Sequence, residues 1–340
     1  MSDDFVDLDD LELEEEAGGL SRRNLLVGGG ALAAAATVLG SPAAAVAATR
    51  RAEAKSKIAL ITHGAGDAFW SVCKKGGAKA GGDIGIRVLY SESRNDPARQ
   101  AQLITAAISQ KVTGIATSAP NPSAIQDACK RAVRANIPIV TLNSGVDKFK
   151  QLGAFTHVGQ TETIAGQGAG QKLKAAGVTK LLVVVHEQGN IGLEQRLAGA
   201  KSTVGGTTIR LQIPGLSDIA ASTTQIKSKL QADSSINGVL ALNPQIGIAV
   251  TQAIDQARSK AKAGTFDLSG DVISAIQSGK LLFAVDQQQY LQGYLPVVFL
   301  YLNNINANTT GGGKPVLTGP GFVDKTNAAK VAALAKKGTR

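Results

Sequence analysis

The chain reads as an α/β protein made of two doubly wound parallel-sheet lobes joined by a hinge that the chain crosses three times. Three observations predict this. Short apolar strands alternate with helices of ten or more residues, the pattern of parallel sheets. The alternation runs from residue 57 to residue 142 and then restarts after residue 160. At 340 residues the chain is too long for one ordinary core and suits two lobes plus a processed leader. With 44% hydrophobic and 18% charged residues its composition is globular.

In the first lobe, residues 57–62 (KIALIT) form a strand, and the HGAGDAFW turn that follows leads into a helix. That turn has G-x-G without a third glycine, and no acid ends the next strand, so it makes only a weak dinucleotide fingerprint. Phe69 and Trp70 are adjacent, so on a helix they point about 100° apart and cannot both face one core. Residues 86–90 form the next strand, followed by a helix from Pro97, where proline suits the first turn. Residues 112–117 are a third strand and 124–135 a helix with Ser123 near its cap. Residues 137–142 are a fourth strand, delivering Asn143-Ser144-Gly145.

Residues 155–159 cross to the second lobe. There 161–176 is helical, 180–185 a strand and 186–190 its loop; 193–203 is a helix, 208–213 a strand and 220–231 a helix. Strand 238–242 ends in Asn243-Pro244-Gln245, and helix 246–257 precedes a short polar segment, 264–267. Ser269 can cap a helix carrying Val272, Ile273 and Ile276 on one face and stopping at Gly279. Residues 281–285 are a buried strand, after which Asp286-Gln287-Gln288-Gln289 places four polar side chains at its carboxyl end, before a helix that starts at Tyr290. Ligands of open α/β sheets bind at the carboxyl ends of strands, so this cluster marks the predicted cleft. Residues 309–314 are a loop and 316–323 a third crossing. The divisions predicted are lobe 1 at 57–159 plus 289–315, lobe 2 at 160–288 plus 316–330, and a basic tail at 331–340.

Residues 1–47 read as a twin-arginine-type signal peptide and 48–56 as a linker. From Leu20 the sequence LSRRNLLVGGGALAAAATVLGSPAAAVAAT carries paired arginines, an apolar run and an Ala-Val-Ala cleavage site. The apolar run is too short and too rich in Gly and Ala for a membrane anchor, and no cysteine follows it to carry a lipid. Nine acids lie in residues 1–47 against Arg22 and Arg23, an unusually long acidic stretch for the n-region of such a leader. The formal charge of +10 hides this asymmetry: the rest of the chain has 34 basic and 17 acidic residues, a net of +17. Such a charge favours anionic surfaces, the cell envelope among them. The basic residues are scattered and not interleaved with aromatics, so a nucleic-acid platform is not predicted. Cys73 and Cys129 are expected to be free, on helices covering opposite faces of one sheet.

The segments PIVTLNSG, VGQTETIAGQGAG, NIGLEQRLAG, LALNPQ, TFD and AVDQQQYLQGYLPV, with Phe69-Trp70 after the first strand, together resemble the periplasmic sugar-binding proteins of the ribose-binding type. The resemblance covers about residues 56 to 325. It implies a two-lobed receptor of an ABC importer that closes on a small sugar or cyclitol and partners a membrane permease, with no cofactor, no bound metal and no catalytic residue. It implies a monomer exported to the periplasm or the outer face of the envelope. Carried over position by position, Phe69 and Trp70 would stack on the apolar face of a sugar ring. Asp67, Asn143, Asn243, Asp267 and Gln287 would hold its hydroxyls with fork-shaped polar groups. Two departures stand out. Asn143-Ser144 replaces the Asp-Arg pair of many relatives, and the position of a ligand-binding arginine falls at Glu194, with Arg196 two residues on.

Several residues carry a plainer reading as well. Trp70 could be lobe core, Asn243 a turn and cap, Asp267 a turn residue, and Gln288 and Gln289 hinge residues. Arg196 could pair on a helix surface, and His63, His157 and His186 are expected to be satisfied or solvated. A non-sugar solute, whether nucleoside, amino-acid-like or signalling molecule, remains open. So does a cleft enzyme, although there is no G-x-S-x-G, Walker A or H-E-x-x-H motif. A sugar-responsive repressor would need a DNA-reading helix-turn-helix ahead of the first lobe, where this chain has its leader.

Overall fold

The computed structural model describes residues 4–8 and 56–340. The leader and linker readings therefore fall outside the described residues, save for residues 4–8 and 56. In chain order the first lobe holds β1 (Val6–Asp7), β2 (Lys57–Thr62), α1 (Ala68–Ile84), β3 (Arg87–Glu92), α2 (Pro97–Ser109), β4 (Gly114–Ser118), α3 (Pro122–Arg134), β5 (Ile139–Asn143) and β6 (Thr156–Gly159). The second holds α4 (Glu162–Ala175), β7 (Lys180–Val185), α5 (Ile191–Val204), β8 (Thr207–Gln212), α6 (Ile219–Ala232), β9 (Gly238–Ala241), α7 (Pro244–Ala257), β10 (Lys262–Phe266), α8 (Gly270–Gln277) and β11 (Phe283–Asp286). Then α9 (Gln289–Asn306) and β12 (Val316–Leu317) return to the first lobe, and β13 (Gly321–Asp324) and α10 (Ala328–Lys337) close the second.

The strand orders are β1-β3-β2-β4-β5-β6-β12 and β13-β11-β10-β9-β7-β8. Among the described residues every neighbouring pair is parallel except β1 on β3 and β13 on β11. Helices therefore cover both faces of each sheet, and the strands read as continuous apolar runs because both faces are buried. In β2, Ile58 and Leu60 enter the layer under α1 and α9, while Ala59 and Ile61 enter the layer under α2 and α3. Cys73 lies in the first layer and Cys129 in the second, both buried and unpaired.

Among the described residues three crossings join the lobes, at β6 to α4, β11 to α9 and β12 to β13. Glutamines knit them together. Gln292 Nε2 donates to the Gln287 carbonyl at 3.1 Å and to Thr318 Oγ1 at 3.2 Å. Thr318 Oγ1 donates to the Gln287 carbonyl at 2.7 Å, and Gln288 Nε2 donates to the Thr318 carbonyl at 2.6 Å. Gln288 is thus a hinge residue, and Gln289 Nε2, at the start of α9, donates to the Leu268 carbonyl of the second lobe at 3.3 Å.

The structure departs from the sequence reading at both ends of the last crossing. Residues 316–317 pair with β6 and belong to the first sheet, so the second lobe resumes only at β13. Residues 331–340 are not a basic tail. They contain most of α10, which packs on α8 and seats Ala335, and Arg340 reaches back to pair with the buried Asp286 at 2.8 Å. The polar segment at 264–267 proves to be mostly strand, since Gly264 leaves room for the Phe283 ring beneath it.

The glycines of VGQTETIAGQGAG and NIGLEQRLAG let α4 and α5 pack almost backbone to backbone. A Cβ at Gly166 would sit 2.1 Å from the Arg196 carbonyl, and one at Gly199 would sit 2.2 Å from the Thr163 carbonyl. This close approach fixes where Arg196 stands.

Candidate ligand-binding site

The carboxyl ends of β2, β5, β7, β9, β10 and β11 converge where the lobes meet. They bring His63, Asp67, Phe69, Trp70, Asn143, Ser144, His186, Glu187, Asn190, Leu193, Arg196, Leu242, Asn243, Asp267 and Gln287 around one small space of about 30 Å³. That space adjoins a mouth of about 590 Å³ that shares Asp67, His186 and Glu187 with it. Since a sugar-sized solute needs a pocket of roughly 300 Å³ or more, the lobes must part to admit one.

Each polar group is placed by the local fold. Asp67 caps α1, its Oδ1 accepting from the Trp70 amide at 2.8 Å, while its Oδ2 accepts from Asn243 Nδ2 across the cleft at 3.2 Å. Asn243 in turn caps α7, with Oδ1 accepting from the Gln245 amide at 2.8 Å. Gln287 links both lobes: its Nε2 donates to Asp267 Oδ1 at 2.8 Å and its Oε1 accepts from Asn143 Nδ2 at 3.3 Å. Asn143 ends β5 and Asp267 follows β10, both in left-handed backbone, at φ 61° and 68°. Arg196 is wholly enclosed. Glu162 accepts from its Nε at 2.6 Å and its Nη2 at 3.0 Å, the Leu242 carbonyl accepts from Nη1 at 3.1 Å, and the guanidinium lies 4.5 Å from the Phe266 ring centre. Trp70 meets Phe69 and His63 edge to face at 4.7 and 4.8 Å.

Of the nine residues read from the sequence, eight line this space and Glu194 does not. Its side chain is 45% exposed and pairs with Arg210 of β8 at 2.7 Å. On a helix capped by Asn190, Leu193 and Arg196 face inward and the residue after Leu193 is turned about 100° away. Arg196 occupies the inward position instead.

Sequence reasoning missed His63, Ser144, His186, Glu187 and Asn190. All follow strand ends, which was the available signal, and some of their contacts cross between the lobes. Ser144 Oγ donates to Asn190 Oδ1 at 3.2 Å, and His63 Nε2 lies 3.4 Å from Glu187 Oε2. His157, by contrast, is enclosed in the first sheet beside Thr141 Oγ1 at 2.9 Å. Among the described residues no group of three His, Cys, Asp or Glu is arranged to hold a metal ion.

Burial sets the charge states here. It pushes the Asp67 carboxyl up to about 6, partly opposed by the Trp70 amide, and Asp267 up to about 7 despite Arg196 and Gln287. Burial pushes His186 down to about 4. Glu187 is held below the usual carboxylate range: burial opposes its charge, but attraction and a hydrogen bond from His63 outweigh it. A carboxylate with a raised folded value favours the folded state at low pH and loses that contribution as pH rises through the folded value. The stability of the wild-type chain relative to Asp267→Asn should therefore increase as pH falls from 8 to 5, by up to about 1.4 kcal/mol per unit. Urea denaturation across that range measures it; a difference independent of pH would contradict the assignment.

Two α/β lobes, a triple crossing and a polar cleft at the strand ends define a hinged solute-binding protein. The chain belongs to the periplasmic binding protein domain family, which its residues 58–303 match. It is similar to a carbohydrate transporter from Acidothermus cellulolyticus 11B whose crystal structure is a complex with myo-inositol. That likeness has 41% identity and a TM-score of 0.82, covering 84% of this chain and 99% of that one. It is also similar to the ribose import binding protein of Haemophilus influenzae, 24% identical over 74% of this chain and 87% of that one. A periplasmic sugar-binding protein of an ABC transporter from Legionella pneumophila has a TM-score of 0.72 at 25% identity, covering 78% of this chain and 99% of that one. The ribose-binding-type resemblance and the two-lobed fold read from the sequence are borne out, and these relatives are transport binding proteins rather than enzymes.

Proposed function

We propose that this chain is the exported receptor of an ABC importer, closing its lobes on a cyclitol or a closely related sugar and delivering it to a membrane permease. The observation that carries the ligand class is the 41% identity to the structure holding myo-inositol. The cleft chemistry agrees with it. Asp67 and Asp267 offer acceptors, Asn143, Asn243 and Gln287 offer both donors and acceptors, and Trp70 offers an apolar face. Direct bonds now joining the lobes, such as Asn243 to Asp67, would be exchanged for bonds through solute hydroxyls. A solute that binds the closed form better shifts the population towards it without any chemical step.

A thermal-shift panel of cyclitols, monosaccharides, nucleosides and amino acids tests this. A ligand at a hundredfold excess over Kd stabilises the folded chain by about 2.7 kcal/mol. We expect myo-inositol or a close analogue to give the shift, and Asp267→Ala to weaken binding by about 1.5–3 kcal/mol, roughly ten- to over a hundredfold. A shift confined to nucleosides or amino acids would replace the solute class.

Export is proposed to follow the twin-arginine route, on the SRRNLL sequence and the apolar run behind it. Replacing Arg22 and Arg23 by lysine should leave the precursor inside the cell. Unchanged export of that variant would remove the route.

A further inference from the structure

Residues 4–8, the described part of the acidic segment ahead of the paired arginines, lie against the first lobe. Val6 and Asp7 form β1, antiparallel on β3, with Val6 opposite Tyr90 and Asp7 opposite Leu89. Without them β3 would be a sheet edge, with unpaired peptide groups. Phe5 and Leu8, three residues apart on an extended segment, go to opposite faces of the sheet. Leu8 is buried at 3% exposure in the layer of Leu60 and Val88, and Phe5 packs on the layer of Leu89 and Leu103. The charges match as well. Arg87 Nε donates to Asp7 Oδ2 at 2.7 Å, Arg99 Nη2 donates to Asp4 Oδ1 at 2.9 Å, and Ser91 Oγ donates to the Asp4 carbonyl. Five residues thus meet a backbone edge, two apolar faces and two cations at once.

We infer that residues 4–8 are a docking strand through which the acidic leader recognises the chain's own folded first lobe, and that removal of the leader uncovers the β3 edge. The second half rests on the leader reading; the docking itself does not. The receiving surface exists only once β2, β3 and α2 have assembled, so a folded lobe holds the leader and an unfolded one releases it. Thirteen residues separate Leu8 from Arg22, a length of chain that spans at most roughly 50 Å. Two of the leader's acids, Asp4 and Asp7, thus meet two of the cations of the first lobe, Arg99 and Arg87.

Hydrogen exchange of the full chain, followed at residues 87–92, tests the docking. We expect slow exchange in the wild type and exchange at least about tenfold faster in Leu8→Asp. The surface double variant Asp4→Lys with Asp7→Lys should exchange faster too, without disturbing any buried side chain. A synthetic peptide of residues 2–10, added to the Leu8→Asp chain, should restore slow exchange, less so at high salt. Equal exchange in the wild type and both variants would overturn the docking. Mass analysis of exported protein separates the two halves. Retention of residues 1–47 with slow exchange overturns the uncovering alone, whereas loss of those residues with no change at β3 overturns the docking while leaving the leader reading intact.

Discussion

Replacing Arg196 by alanine should destabilise the chain by about 3–5 kcal/mol, because it strands a buried carboxylate. Glu162 is fully enclosed and takes two bonds from this guanidinium, while Gln160 Nε2 donates to it at 2.9 Å and cannot neutralise it. The neighbouring groups hold the Arg196 proton more firmly than usual although burial opposes its charge, with Glu162 contributing most. Urea denaturation of Arg196→Ala, of Glu162→Gln and of the double variant Arg196→Met with Glu162→Gln separates the sources. Most of the loss should return in the double variant, since a neutral pair leaves no uncompensated charge. A loss below about 1 kcal/mol in Arg196→Ala would place the pair in the weak, solvent-screened class.

Trp70→Ala should cost about 3–5 kcal/mol in stability before any solute is added, and weaken solute binding as well. The indole is 3% exposed, packs edge to face on Phe69 and His63, and lies over Gly64, where an added Cβ would meet its Nε1 at 2.0 Å. It belongs to the apolar layer under α1 and also lines the cleft. Core residue and cleft wall are therefore one and the same side chain. Calorimetry without ligand, set beside a binding isotherm, checks both halves. Unchanged stability with lost binding would make Trp70 a ligand face only.

Most of the fold was legible because strand burial and helix periodicity are local. KIALIT and KLLVVV correspond residue for residue to β2 and β7, since runs buried on both faces leave little doubt about where they start. The helix α10 was missed because its lysines were weighed as a charge run, while Val331, Ala332 and Ala335 keep helical spacing on the face that packs on the second core. In the cleft, the resemblance to ribose-binding-type proteins pointed to Asp67, Asn143, Asn243, Asp267 and Gln287, while the strand-end rule marked only the cluster at 286–289. Neither reading ranked His63 or Asn190, which meet across the lobes: Asn190 Nδ2 is 3.4 Å from His63 Nε2 across a separation of 127 residues. The reading of Glu194 as a site residue alongside Arg196 shows a similar limit on a smaller scale. Position within one helical turn is set by what the helix packs on, and here that is decided by Gly166 and Gly199.

The left-handed backbone at Asn143 and Asp267 has a consequence for how the receptor's selectivity could change over time or by design. Such dihedrals are disfavoured for most side chains and tolerated by Gly, Asn and Asp. At these two positions the accessible alphabet is therefore nearly binary: an amide or a carboxylate of the same shape. A single Asn-to-Asp exchange would swap a donor for a charge with the main chain left where it is. New solute preferences should accordingly be reached through charge swaps at fixed points, with changes of side-chain size confined to the helix-borne positions around them.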